Sequence, residues 1–281
     1  QGGLVMETEN KFQEEFDKKW EEYRTRNAER RYPNIMLLGV TGAGKSSLIN
    51  DIFGEYAATV SDTAPETQGF DIYMGRDYGR TVNLIDSAGY ELGNGDTYYG
   101  EIKSVVDEGV EGEPVHIIWY CIPIPGNRVQ QVDVDTLKNL LSEEKIRKRL
   151  CIVFTKCDLD TEDDEIANAL SEVIRSEVST EIKIFKTSQE SDLTLDMDEL
   201  IKWSADSIDD EDLRRDFIGS QIRDLRLKSK SADKIVAAAA VAAFGVGAAP
   251  IPFSDAAILV PIQVGMAAKI IDVYGVGSLA S

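Results

Sequence analysis

The spacing of apolar residues changes twice along this chain. Residues 7–31 are mostly polar, yet Phe12, Phe16, Trp20 and Tyr23 recur at steps of four, four and three. That spacing predicts an amphipathic helix with four aromatic rings on one face. Tyr32-Pro33 ends it, because proline has no amide to donate and pushes its predecessor out of the helical region. From Asn34 the pattern becomes short apolar runs separated by segments with three- and four-residue periodicity, which predicts strands alternating with helices around a mainly parallel sheet. Strands are predicted at residues 34–39, 69–74, 81–86, 115–123, 150–155 and 181–187, and helices at 44–54, 98–109, 131–142, 162–177 and 196–207. The turn Gly75-Arg76-Asp77-Tyr78-Gly79 is too short for a crossover, so the two strands it joins should pair antiparallel.

The second change comes at the acidic stretch from Ser207 to Asp212, after which no strand pattern returns. Ile235 to Phe253 and Ala256 to Ala268 are uncharged, with Pro250, Pro252 and Asp255 near their junction. The expected organisation is an N-terminal amphipathic helix over 1–33, an α/β domain over 34–208 and a C-terminal all-α unit over 209–281. Gln1 to Val5, ahead of Met6, read as an expression remnant with no part in the fold, and no signal peptide pattern precedes the first helix.

Composition narrows the partners. Thirty basic against fifty acidic residues give a net charge of −20, a field that repels nucleic acid, so no nucleic-acid partner is expected. Cys121 and Cys151 sit inside apolar runs and Cys157 follows one, which fits free thiols in a reducing, cytoplasmic compartment. The lone histidine, His116, begins a strand and reads as a satisfied imidazole rather than a catalytic base. The acids at 158–165 and 206–212 read as solvated helix starts rather than as a metal site.

The chemistry concentrates in three segments. Gly39-Val40-Thr41-Gly42-Ala43-Gly44-Lys45-Ser46 fits G-x-x-x-x-G-K-[ST], follows a strand and opens a helix. Its glycines let successive amides point at a phosphate, Lys45 adds a full charge, and the Ser46 hydroxyl can ligate Mg²⁺. Gly39, Thr41, Gly42, Ala43, Gly44, Lys45, Ser46 and Ser47 are therefore candidate phosphate ligands. The apolar strand ending at Asp86 continues as Ser87-Ala88-Gly89, a D-x-x-G in which the carboxylate serves the cation and the Gly89 amide a γ-phosphate. Ile152-Val153-Phe154 leads into Thr155-Lys156-Cys157-Asp158. There the Asp158 carboxylate can accept from the N1–H and exocyclic amine of guanine, the Lys156 stem can lie across the base, and Thr187-Ser188 can bring an amide to the guanine oxygen. GTP and GDP with Mg²⁺ are the implied ligands.

These elements, in this order, resemble the TRAFAC class of P-loop GTPases over roughly residues 34–208. The wording of the phosphate loop resembles the branch holding septins, Era-like proteins and immunity-associated GTPases. The fold class implied is α/β: a six-stranded, mostly parallel sheet with flanking helices, followed by the helical unit. The resemblance further implies a threonine that closes over Mg²⁺ and the γ-phosphate, with Thr67 in Pro65-Glu66-Thr67-Gln68-Gly69 the better match and Thr63 its competitor. Lys45, Thr67 and Gly89 are then the catalytic candidates, and Ser46, Thr67 and Asp86 the metal ligands. Tyr90 stands where Ras-like members carry a water-positioning glutamine, which implies slow hydrolysis raised by a partner or by dimerisation. Gly42 replaces the asparagine of potassium-activated relatives. Arg128, after Trp119-Tyr120-Cys121-Ile122, is a candidate to reach a facing protomer. Residues 217–276 resemble a small helical domain found after bacterial GTPase domains, some of whose members are membrane-associated. Both a soluble hairpin and membrane association through 235–271 remain open.

Overall fold

The computed structural model describes residues 13–14, 16–22, 25, 29–54, 66–67, 69–78, 80–87, 95–161, 163–188, 195–247 and 255–274. The chain divides into two compact units, residues 32–224 and residues 1–31 with 225–281.

The larger unit is built on a sheet in the order β2-β3-β4-β1-β5-β6-β7. Its strands are β1 (Asn34–Leu38), β2 (Glu66–Thr67), β3 (Phe70–Tyr73), β4 (Asn83–Ser87), β5 (Val115–Pro123), β6 (Leu150–Thr155) and β7 (Ile184–Lys186). The six predicted strands are present, and the two-residue β2 extends the antiparallel edge. β1 pairs in parallel with both β4 and β5, β6 follows β5 and β7 follows β6 in parallel, and β3 runs antiparallel to β4 as the short turn requires. Helices α1 (Lys45–Phe53), α2 (Gly95–Glu108), α3 (Gln131–Ser142), α4 (Glu144–Arg147), α5 (Glu165–Glu177), α6 (Met197–Asp206) and α7 (Glu211–Ser220) complete the unit.

Strands covered on both faces read as continuous apolar runs, and β1 and β6 are buried throughout. Met36, Leu38, Ile85, Ile118, Tyr120, Ile152 and Phe154 join one core with Ile102, Leu137 and Leu170 from the helices. Across the sheet Trp119 stacks on Phe53 of α1 at 6.1 Å and donates its indole N–H to Ser204 Oγ of α6 at 3.0 Å. Phe217 of α7 meets Phe53 edge to face at 5.9 Å.

The sequence places α7 with the C-terminal unit, whereas the structure groups it with the sheet. The acidic stretch that suggested a boundary is the start of a helix: Asp210 accepts the Asp212 and Leu213 amides as its N-cap. Beyond it the buried Leu213 and Phe217 add to the core, while the Thr81 hydroxyl donates to the Asp216 carbonyl at 2.7 Å. The Thr81 amide donates to Ser220 Oγ at 2.8 Å.

The second unit holds α8 (Leu225–Gly247) and α9 (Asp255–Tyr274), packed on each other, with residues 16–22 helical. Val260, Val264 and Ala268 recur at four-residue steps along the buried side of α9. Arg30 forms an ion pair with Asp272 at 3.2 Å, both side chains nearly buried, which ties the N-terminal segment to α9. Phe16 stacks on Trp20 at 6.1 Å as the predicted stripe requires; Phe12 and Tyr23 lie outside the described residues. Among the described residues no helix is long and apolar enough to cross a membrane.

Candidate functional site

The carboxyl ends of β1, β4, β6 and β7 converge where the strand order reverses about β1, the position at which open α/β sheets take ligands. β1 runs into residues 39–44, and α1 begins at Lys45. Gly39 has φ +134°, and a Cβ there would run into the Cys121 carbonyl oxygen, so no other residue fits the exit from β1. Gly42 and Gly44 have φ +77° and +88°, left-handed values that turn the loop over the helix start.

Lys45 is buried at the centre of this loop, its Nζ donating to the Gly39 and Val40 carbonyl oxygens at 3.3 and 3.4 Å. The ammonium is thus folded back across the loop it closes. Ser46 Oγ donates to Asp86 Oδ2 at 3.2 Å, joining the helix start to the end of β4. Asp86 Oδ1 is buried, and no donor reaches it among the described residues. Burial pushes the Asp86 carboxyl up to about 6, against the Lys45 charge and the Ser46 hydroxyl, and Asp71, its register partner on β3, adds to the rise. A buried carboxylate with an unused oxygen, beside a hydroxyl and a second carboxylate, is a donor set suited to a hard divalent cation. Ser46 and Asp86 therefore fit Mg²⁺.

A second cluster lies at the ends of β6 and β7. The Thr155 hydroxyl donates to the Ala43 carbonyl at 2.5 Å and the Lys156 ammonium to the Gly42 carbonyl at 2.9 Å, so the two loops are cross-linked. Lys156 adopts φ +58°, which turns the chain into the short helical turn holding Asp158. Ser188 Oγ donates to Asp158 Oδ1 at 2.8 Å, and the Cys157 amide to the Thr187 carbonyl at 3.1 Å. Thr155 opens the base loop, and its hydroxyl braces the phosphate loop.

Sequence reasoning missed Tyr98. Its hydroxyl accepts the Gly39 amide at 3.1 Å and lies 3.4 Å from Ser87 Oγ, and burial raises it to about 12, so it stays a neutral brace under the loop. Nothing in the spacing of α2 marked it out. Thr67 belongs to β2, with only its backbone described; Thr63, Gly89 and Tyr90 lie outside the described residues. Arg128 is exposed, and His116 Nδ1 accepts the Asn34 amide at 3.1 Å, as a satisfied edge imidazole should. The three cysteines are free and buried. Among the described residues no three histidine, cysteine or acid side chains gather into a metal-binding group, so a cation at the Ser46–Asp86 pair would draw its other ligands from elsewhere.

Comparison with known proteins gives the same reading of the motifs. The chain is 29% identical over 143 residues to the GTPase Der of Flavobacterium johnsoniae, covering 42% of this chain and 32% of that protein. It is 29% identical over 173 residues to the tRNA modification GTPase MnmE of Porphyromonas gingivalis, covering 60% of this chain and 34% of that one. The chain thus spans about a third of the length of these relatives. A solved structure of Toc33 from Arabidopsis thaliana, a dimerisation-deficient mutant, is similar at 19% identity with a TM-score of 0.42, over 64% of this chain and 79% of that one. The sequence pattern of the 50S ribosome-binding GTPase family matches residues 34–174, half of the chain and the whole path from β1 into α5. With its phosphate loop, its β4 carboxylate and its base loop assembled at one end of one sheet, the chain belongs to that family of P-loop GTPases.

Proposed function

We propose that this chain binds GTP and GDP with Mg²⁺ at the described site, hydrolyses GTP slowly and works as a conformational switch. The observation that carries the reading is the buried Lys45 ammonium, held by carbonyls of its own loop beside the Ser46–Asp86 pair and its unused oxygen. A phosphate is the natural partner for such an ammonium, because it offers charge where the loop offers only dipoles. Ser46, Asp86 and Thr67 would hold the cation, which neutralises charge on the β- and γ-phosphates. Gly39 to Ser47 would supply amides and hydroxyls to the phosphates, while Thr155, Lys156, Asp158 and Ser188 would hold the base. The Gly89 amide and the Thr67 side chain would sense the γ-phosphate, so residues 55–69 and 87–100 are the segments whose order changes with nucleotide state.

Tyr90 has no side-chain amide to orient a water, and Gly42 stands where the potassium route needs an asparagine, so the chain reads as a hydrophobic-substituted GTPase. The remaining source of transition-state charge is a group from another molecule, either a second copy facing the nucleotide or a separate activating protein. The exposed Arg128 is the candidate donor in a homodimer. Specific GTPase activity should therefore rise with protein concentration over a roughly hundredfold range, in step with light scattering that reports dimer in a GTP analogue but not in GDP. Flat activity from a monomer in every state would discard self-activation and leave the separate partner.

A second reading, a nucleotide-regulated membrane-binding or assembly module with little hydrolysis, is favoured by α8, whose Val236, Val241 and Phe244 are 45%, 74% and 80% exposed. Running the same series with and without lipid vesicles separates the two, since a membrane module gains activity or sediments with vesicles at concentrations where the free chain is unchanged.

A further inference from the structure

The loops that would read the base do not enclose their cavity alone. A small cavity of about 10 Å³, room for a single water, is lined by Thr155, Lys156 and Ser188 together with Gly44, Ser47 and Asp51 of the phosphate loop and its helix. Asp51 lies four residues after Ser47, one turn further along the same face of α1. A carboxylate among the residues that would bind a nucleoside di- or triphosphate is unfavourable for an anion, and its compensation comes from an unexpected place.

Asp51 Oδ2 lies 3.1 Å from Arg223 Nη2, with the two side chains 24% and 27% exposed. The approach is that of an ion pair without hydrogen-bond alignment, since the same oxygen is buried and takes no hydrogen bond. Burial raises the Asp51 carboxyl, and the Arg223 charge opposes the rise. Arg223 stands in the four residues between the end of α7 and the start of α8, and these are fastened to the nucleotide helix. The Ile222 amide donates to the Ile52 carbonyl of α1 at 2.8 Å. Gln221 closes the segment on itself: its side-chain oxygen accepts the Asp224 amide at 2.8 Å, and its side-chain nitrogen donates to the Asp224 carbonyl at 2.9 Å. The segment is a built strap on the far end of the phosphate-loop helix.

We infer that Arg223 is a positioning residue for nucleotide retention: by neutralising Asp51 it keeps the cavity wall from repelling an anionic ligand, so the placement of residues 221–224 sets how long nucleotide stays. The inference deepens the guanine-nucleotide reading and rests on it. Its signature is one of sign. Removing Arg223 leaves a bare carboxylate facing the cavity, whereas removing the Asp51 charge leaves a bare guanidinium, so the two changes act in opposite directions on an anion. A pair that merely held α1 in place would give losses of the same sign.

The test is the dissociation rate of fluorescently labelled GDP from the full chain and its variants, with melting temperatures alongside. Arg223→Ala should speed release roughly threefold or more, Asp51→Asn should slow it by a similar factor, and the double variant should return to within about twofold of the original chain. Arg223→Lys, which keeps the charge, should behave like the original, and the differences should shrink in high salt. Four equal rates, or two single variants that both speed release, would overturn the inference. Asp158→Asn is the control for the site itself. If the original chain holds no GDP, or Asp158→Asn holds it unchanged, the guanine reading fails and the inference with it. If Asp158→Asn loses GDP while the Asp51 and Arg223 series is flat, only the strap is discarded.

Discussion

Lys45→Ala should weaken GTP and GDP binding roughly tenfold or more, on the order of one to several kcal/mol. Lys45 is 6% exposed, and its ammonium donates to the Gly39 and Val40 carbonyls. A phosphate arriving at the loop exchanges these neutral contacts for charge-assisted ones in a largely dry site, where a full charge is worth most. Nothing else in the loop can replace it, since residues 39–44 and Ser46 supply only dipoles and hydroxyls. Calorimetric titration with both nucleotides, with a melting curve as the control for folding, measures the loss. Unchanged affinity in a folded variant would discard the phosphate loop as the binding element.

Asp158→Asn should shift base preference from guanine toward xanthine without a comparable loss of phosphate binding. A carboxylate accepts from both the N1–H and the exocyclic amine of guanine; an amide offers one acceptor and one donor, and the donor matches the carbonyl that xanthine carries in place of the amine. Ser188 Oγ already holds one Asp158 oxygen at 2.8 Å, so the side chain is oriented before a base arrives and the replacement amide can keep that contact. The guanine-to-xanthine affinity ratio should fall roughly hundredfold, about 2.7 kcal/mol. Competition of the two diphosphates against a labelled nucleotide reads the ratio directly. A variant that keeps the original ratio would remove Asp158 from base recognition.

Much of this was legible in the sequence because each motif coincides with a change of period. β1, the phosphate loop and α1 form one strand, loop and helix in the order that the Gly39–Ser46 pattern needs, and local propensity, glycine conformation and burial agree there. The carboxylate of Asp86 ends a buried strand, which an apolar run closed by an acid shows directly. The rest depended on contacts between residues far apart in the chain. Tyr98 braces Gly39 from 59 residues away, and Thr155 reaches Ala43 across 112. Two residues of β2 are too few to carry a period, and α7 was misplaced because its N-cap acids looked like a boundary. The Asp51–Arg223 pair joins a helix face to a connector 172 residues later, and no local pattern encodes such a meeting.

The central claim is that one end of this sheet is a guanine-nucleotide site. Its most direct test is calorimetric titration of the nucleotide-free chain with GDP and with ADP in the presence of Mg²⁺. The site predicts one GDP per chain and ADP at least about a hundredfold weaker, since adenine lacks the N1–H and the amine that Asp158 would accept from. Equal affinity for the two, or no binding of either, would contradict it.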